Sequence, residues 1–86
     1  MPKVSEFYGI EIMIYWNDHN PPHFHAFYAG NVASIDILTT EKIEGDLPGK
    51  ALSLVKEWAA RYKNELMEDW ELCKQKQPVK KITSLV

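Results

Sequence analysis

Cysteine is nearly missing from this 86-residue chain: Cys73 is the only one. That excludes an internal disulfide framework and any zinc site built on several thiolates. It suits a reducing cytoplasm, where one thiol serves as a small buried apolar group. Long apolar runs are missing too, and nothing approaches the ~20 residues of a membrane-spanning helix. The first residues, Met-Pro-Lys-Val-Ser-Glu, lack the charged-then-apolar order of a secretory signal. The expectation is a soluble, cytoplasmic domain with no membrane association. An excess of either charge is also lacking, with 10 Lys and Arg against 12 Asp and Glu, for a net charge of −2. General electrostatic attraction to nucleic acid is thereby disfavoured. Arginine is reduced to Arg61, and no histidine occurs outside residues 19–25.

What the chain does contain is apolar and aromatic weight: 45% hydrophobic residues, with three Trp, four Tyr and three Phe. A chain this short buries only about 60–65% of its unfolded surface, yet this composition supports a core without staples. One domain over residues 1–86 is expected, with no internal repeat or low-complexity segment. Charge is distributed unevenly. Lys74, Lys76, Lys80 and Lys81 gather near the C-terminus, either as a solvated basic tail or as a local phosphate contact, while Glu41, Glu44 and Asp46 sit mid-chain.

Residues 7–16 alternate with period two, placing Tyr8, Ile10, Ile12, Ile14 and Trp16 on one face, which predicts a strand with an apolar core side. Pro21 and Pro22 end that region, because proline fixes φ and donates no ladder hydrogen bond. A second strand is expected from about His23 to Ala29 and a third from Val32 to Leu38. Gly30-Asn31 is expected as their two-residue type II′ turn. That register sets His25 opposite Asp36 and His23 opposite Leu38. Phe24, Ala26, Tyr28, Ala33, Ile35 and Ile37 then share the core face. A short fourth strand is expected at Lys42 to Gly45. Pro48 then opens a helix, with Asp46 near its positive end. Leu52, Val55, Ala59, Tyr62, Leu66, Trp70 and Cys73 recur at spacings of three and four, widened by Ala51, Leu54, Trp58 and Met67. An unbroken helix over 48–76 would reach about 43 Å, too long for a domain with a radius of gyration of ~12 Å. A break near Arg61 to Asn64 is therefore expected. Gln77-Pro78 ends the helical region, and Val79 to Leu85 follows as an edge strand or a packed tail. The predicted class is α+β: an antiparallel sheet of three to four strands, then one long bent helix or two consecutive helices packed on one face.

The chemistry concentrates in Asp18-His19-Asn20-Pro21-Pro22-His23-Phe24-His25. Histidine changes charge near neutral pH and is the commonest metal ligand. His23 and His25, two apart on a strand, project from one face. With His19 or Asp18 as a third ligand, and Asp36 or Glu11 nearby, they have the donors for a divalent transition metal such as zinc, nickel, copper or iron. The His-x-His spacing resembles the metal motif of cupin barrels. Cupins, however, continue with a glutamate, where this chain has Tyr28, Ala29 and Gly30, and with a later histidine that it lacks. Metal-free acid–base catalysis is the second reading. His25 oriented by Asp36, with His23 or His19 as partner, suits RNA cleavage through the 2′-hydroxyl, with Arg61 and lysines stabilising the transition state. The third is purely structural: turn-forming Asp18 and Asn20, a stiffened loop, and an ordinary His25–Asp36 cross-strand pair. Trp58 and Trp70 belong to the core, and Trp16 is placed to shape a pocket.

Phe7-Tyr8-Gly9-Ile10, Asn17-Asp18-His19-Asn20-Pro21-Pro22-His23-Phe24-His25-Ala26, Glu44-Gly45-Asp46-Leu47-Pro48, Glu57-Trp58-Ala59 and Trp70-Glu71-Leu72 occur in this order. Over nearly its whole length the chain resembles a small bacterial family catalogued as domain of unknown function 4160. His19, His23 and His25 match its signature histidines. The resemblance implies a toxin–antitoxin-like gene pair, hence a small partner protein encoded by an adjacent gene and a regulatory or ribonuclease role. The expected function is a member of such a pair with a histidine-centred site, for metal binding or RNA cleavage, at His19, His23, His25 and Asp36. The alternative is a non-catalytic interaction module that docks through the His/Pro loop. Sequence-specific DNA binding is disfavoured by the acidic balance and by the lack of a helix-turn-helix pattern.

Overall fold

The computed structural model of the protein describes residues 2–16 and 19–85. The strands are β1 (Lys3–Phe7), β2 (Ile10–Met13), β3 (His23–Tyr28), β4 (Asn31–Asp36) and β5 (Lys42–Gly45). They form one antiparallel sheet in the order β1-β2-β3-β4-β5. Helices α1 (Gly49–Arg61) and α2 (Lys63–Lys74) follow. The class is α+β as expected, but with five strands rather than three or four.

The additional strand, β1, lies almost wholly before the alternating 7–16 segment and takes only Phe7 from it. Tyr8 and Gly9 both have positive φ, 50° and 78°, so the chain reverses there and Phe7 pairs with Ile10. Two consecutive left-handed residues with glycine second are the pattern of a type I′ hairpin, whose twist matches that of its strands. Periodicity alone did not reveal the turn, because an alternating pattern runs on through it. Ile10, Ile12 and Ile14 are fully buried as their spacing predicted, whereas Tyr8 and Trp16 are exposed at 61% and 41%.

The β3–β4 hairpin uses the same device one position earlier than expected. Ala29 and Gly30 have φ of 50° and 84°, so Tyr28 pairs with Asn31, His25 with Ser34 and His23 with Asp36. The predicted pairing of His25 with Asp36 is therefore corrected by two residues. A shift of two preserves parity, so every side chain keeps its predicted face. Phe24, Ala26, Ala33, Ile35 and Ile37 are buried, and Tyr28 packs against them.

The helices bring their apolar stripe onto this buried face. Trp58 lies 5.3 Å from the Phe7 ring and 5.9 Å from Phe24, and Val55, Ala59, Leu66 and Trp70 are buried with it. Pro48 is the residue before α1 rather than its first member. The helical region breaks at Tyr62, whose φ of −114° and ψ of 31° leave the helical range. An unbroken helix from Gly49 to Lys74 would run about 39 Å at 1.5 Å per residue, beyond the protein's longest dimension of 33 Å. Lys76, with φ of 58°, terminates α2: its N–H donates to Cys73 O and that of Gln77 to Leu72 O, a Schellman arrangement. Residues 79–85 pack as a tail. Ile82 N–H donates to Val4 O along β1, and the Trp58 indole N–H donates to Thr83 O. Cys73 is buried, and burial pushes its thiol pKa up, which suits the expected packing role. Among the described residues no helix is long and apolar enough to cross a membrane.

Candidate functional site

A meander has two ends, and the connections sort the chemistry between them. The Tyr8-Gly9 and Ala29-Gly30 turns lie at one end of the sheet; residues 14–16, 19–22 and 37–41 lie at the other. All three histidines belong to the second end, because His23 and His25 start β3 and His19 precedes them in the loop. Residues two apart on a strand face the same way, and the rings of His23 and His25 are 5.1 Å apart. The His19 ring lies 6.3 Å from that of His23. The structure thus brings together the three predicted histidines around a cavity of about 260 Å³.

Local contacts orient the rings. His23 Nδ1 lies 2.7 Å from the carbonyl oxygen of Pro21. A carbonyl only accepts, so Nδ1 carries a proton and donates it, and the chemistry of the ring is carried by Nε2. The Pro21 carbonyl is presented by a loop whose Asn20–Pro21 peptide is cis. His23 is buried, with the Trp70 ring 5.4 Å away. His25 is half-buried and stacked on Tyr15, with centroids 4.0 Å apart and planes at 15°. Its Nδ1 is 3.2 Å from Ser34 Oγ, a hydroxyl able to donate or accept there.

Asp36 does not orient His25. Its Oδ1 accepts the backbone N–H groups of Leu38 and Thr39 at 2.8 and 3.0 Å, closing the turn after β4. This is the usual work of an aspartate at a chain reversal. Ser34 takes the place opposite His25 that the sequence reading gave to Asp36, a consequence of the earlier turn. Arg61 pairs with Glu57 at 3.8 Å on α1 and is not among the residues lining the histidine cavity. Glu11 pairs with Lys3 at 3.5 Å. Asp18, the other expected donor, lies outside the described residues.

Sequence reasoning missed Tyr15, Glu44 and Ile43, which line the same cavity. Glu44 was visible as part of a mid-chain acidic group and of the Glu44–Pro48 segment of the family resemblance, but not as a neighbour of the histidines. It reaches the cavity because β5 pairs with β4, setting Glu44 opposite Ser34. Among the described residues of the lining there is no lysine or arginine, and Glu44 is the one formal charge apart from the imidazoles. Among the described residues, no group of three or more His, Cys, Asp or Glu side chains is arranged to hold a metal ion.

No curated protein and no solved structure matches the chain. One family model does match, over residues 9–71, a span containing the histidine segment, all of β2 to β5, α1 and most of α2. The chain therefore belongs to the family described as Domain of unknown function (DUF4160).

Proposed function

We propose that the protein is the histidine-bearing member of a toxin–antitoxin-like pair, and that its histidine cavity binds a divalent transition-metal ion through Nε2 of His23 and His25. The observation that carries this reading is the Nδ1 donation of His23 to Pro21 O. A hydrogen bond at one ring nitrogen, fixing the other for coordination, is the usual support of a ligating histidine. Two imidazoles bound to a common ion at ~2.0–2.1 Å hold their rings roughly 5 Å apart, in keeping with the 5.1 Å between His23 and His25. His19, exposed in the loop, supplies the third nitrogen after a side-chain rotation. Glu44 and the lack of lining cations favour a cation over a phosphodiester. RNA cleavage is correspondingly less supported, because Asp36 and Arg61 are engaged elsewhere.

Zinc titration of untagged protein, followed through the histidine ring nitrogens by NMR, tests the proposal. Saturation at one ion per chain is expected, with Nε2 of His23 and His25 shifting. His23→Ala should weaken binding by at least about tenfold. No saturable binding, or an affinity unchanged from the parent in His23→Ala and His25→Ala, overturns it. RNA cleavage by the metal-free protein that is lost in His25→Ala would assign the acid–base role instead.

A docking role has its own support. Trp16, Leu38 and Ile43 are exposed at 41%, 50% and 48%, and the topology puts all three at the histidine end. Exposed apolar side chains gathered in one region mark interaction surfaces. Retained binding of the adjacent gene's product by His23→Ala, with loss in Leu38→Asp, would separate docking from the histidine chemistry.

A further inference from the structure

A second cavity, larger than that of the histidines, lies at the opposite end of the sheet. It measures about 550 Å³, within the ~300–1,000 Å³ of small-molecule sites. Ile10 forms its floor, Ala51, Leu54 and Pro48 its helix side, and the rings of Tyr8 and Tyr28 its hairpin side. Lys50 is the one charged side chain in this lining.

Two features set this cavity apart from an ordinary surface cleft. The first is charge. Lys50 lies in the first turn of α1, which has no acidic residue and no side-chain cap. A cation at the positive end of a 13-residue helix opposes the helix dipole, and the first N–H groups there have no partner within the helix. Lys50 has no ion pair among the described residues. Positive potential is thus concentrated beside apolar walls, with no neutralising group in the lining. The second feature is Tyr8. A bulky residue at φ of 50° is strained, and this one holds its ring 61% exposed at the cavity. Asparagine would form the same turn at lower cost.

We propose that this cavity binds a small organic carboxylate with a flat aromatic body. The body lies against Tyr8 and Tyr28 and over Leu54; the carboxylate meets the Lys50 ammonium and the first N–H groups of α1. Such a ligand satisfies both halves of the site, apolar area for the rings and one negative charge for the helix end. The site is separate from the histidine cavity, with no lining residue in common.

The test uses 2-naphthoate and its neutral analogue 2-naphthamide, titrated into the full chain and followed by backbone NMR. Saturable shifts confined to residues 8–10, 28 and 49–54 are expected with the carboxylate. The amide should bind about tenfold more weakly, the loss of one charge-assisted interaction. Lys50→Met should bring the carboxylate to the amide's affinity. Tyr8→Asn should weaken binding severalfold while raising the melting temperature, which separates ligand contact from folding. No saturable binding at millimolar concentration, equal affinity for acid and amide, or shifts centred elsewhere would overturn the proposal.

Discussion

Alanine at Gly45 and at Gly30 makes a controlled pair of perturbations, because the two glycines share a backbone conformation and differ in surroundings. Their φ values are +76° and +84°. A side chain in the left-handed region costs about 1–2 kcal/mol at either position. At Gly30 a Cβ meets nothing within 4 Å, so Gly30→Ala should lose that amount and no more. At Gly45 the same Cβ would overlap the Val32 carbonyl oxygen and sit 3.1 Å from Ala33 Cα. Both are backbone atoms of β4 and have no rotamer by which to withdraw. The strand end must retreat, sacrificing the 3.2 Å bond from Asp46 N–H to Val32 O, worth about 1 kcal/mol, together with local packing. Gly45→Ala should therefore cost ~3 kcal/mol or more. For a domain of this size each kcal/mol lowers the melting temperature by roughly 4–8 °C. Thermal and urea denaturation of both variants reads the difference, and amide exchange locates it at β4–β5. The consequence for the site follows from Glu44 and Ile43, which precede Gly45 on β5 and line the histidine cavity. Their resonances should move in Gly45→Ala and stay in place in Gly30→Ala. If the two variants are destabilised equally, within about 0.5 kcal/mol, the close approach of β5 to β4 does not exist in solution.

Two further outcomes are expected. Asp69 is fully buried: its Oδ1 accepts Lys80 N–H, while Oδ2 has no partner. Burial raises its pKa above the ordinary 3.8. A raised native value means a stability contribution fully present below pH 3.8 and lost as pH rises through the native pKa. Asp69→Asn should remove that decline and raise the melting temperature at pH 8; an unchanged pH slope in melts from pH 4 to 8 would refute it. Lys76→Gly should add ~0.5–1 kcal/mol by relieving the left-handed lysine that ends α2. A destabilised variant in urea denaturation would mean that the helix ends otherwise.

How much was legible differs between the fold and the site, and the reason is parity. Alternation in β3 and β4 assigns each side chain to a face irrespective of which residues form the turn. Phe24, Ala26, Ile35 and Ile37 are therefore in the core as their pattern required. Choosing Ala29-Gly30 over Gly30-Asn31 moves every cross-strand partner by two without altering a face, so the pattern is silent on the partner of His25. β1 was hidden for a different reason: Tyr8 and Ile10 extend one alternating series, and only the reversal at Tyr8-Gly9 pairs Phe7 with Ile10, bringing Phe7 into the core and leaving Tyr8 exposed. The helix break was readable for another reason: chain length against domain size demanded it, although no glycine or proline marks Tyr62.

The sequence by itself determined the α+β class, the core faces of β2, β3 and β4, the helix stripe and the grouping of His19, His23 and His25, because these follow from local periodicity and chain proximity. Tertiary structure alone decided that Asp36 closes a turn, that Ser34 faces His25, and that Glu44 joins the histidines while Arg61 does not. Those relations join residues far apart in the chain through hydrogen-bond register and strand order. Register is set by which two residues adopt left-handed backbone in each hairpin, a choice of a few kcal/mol that periodicity does not record.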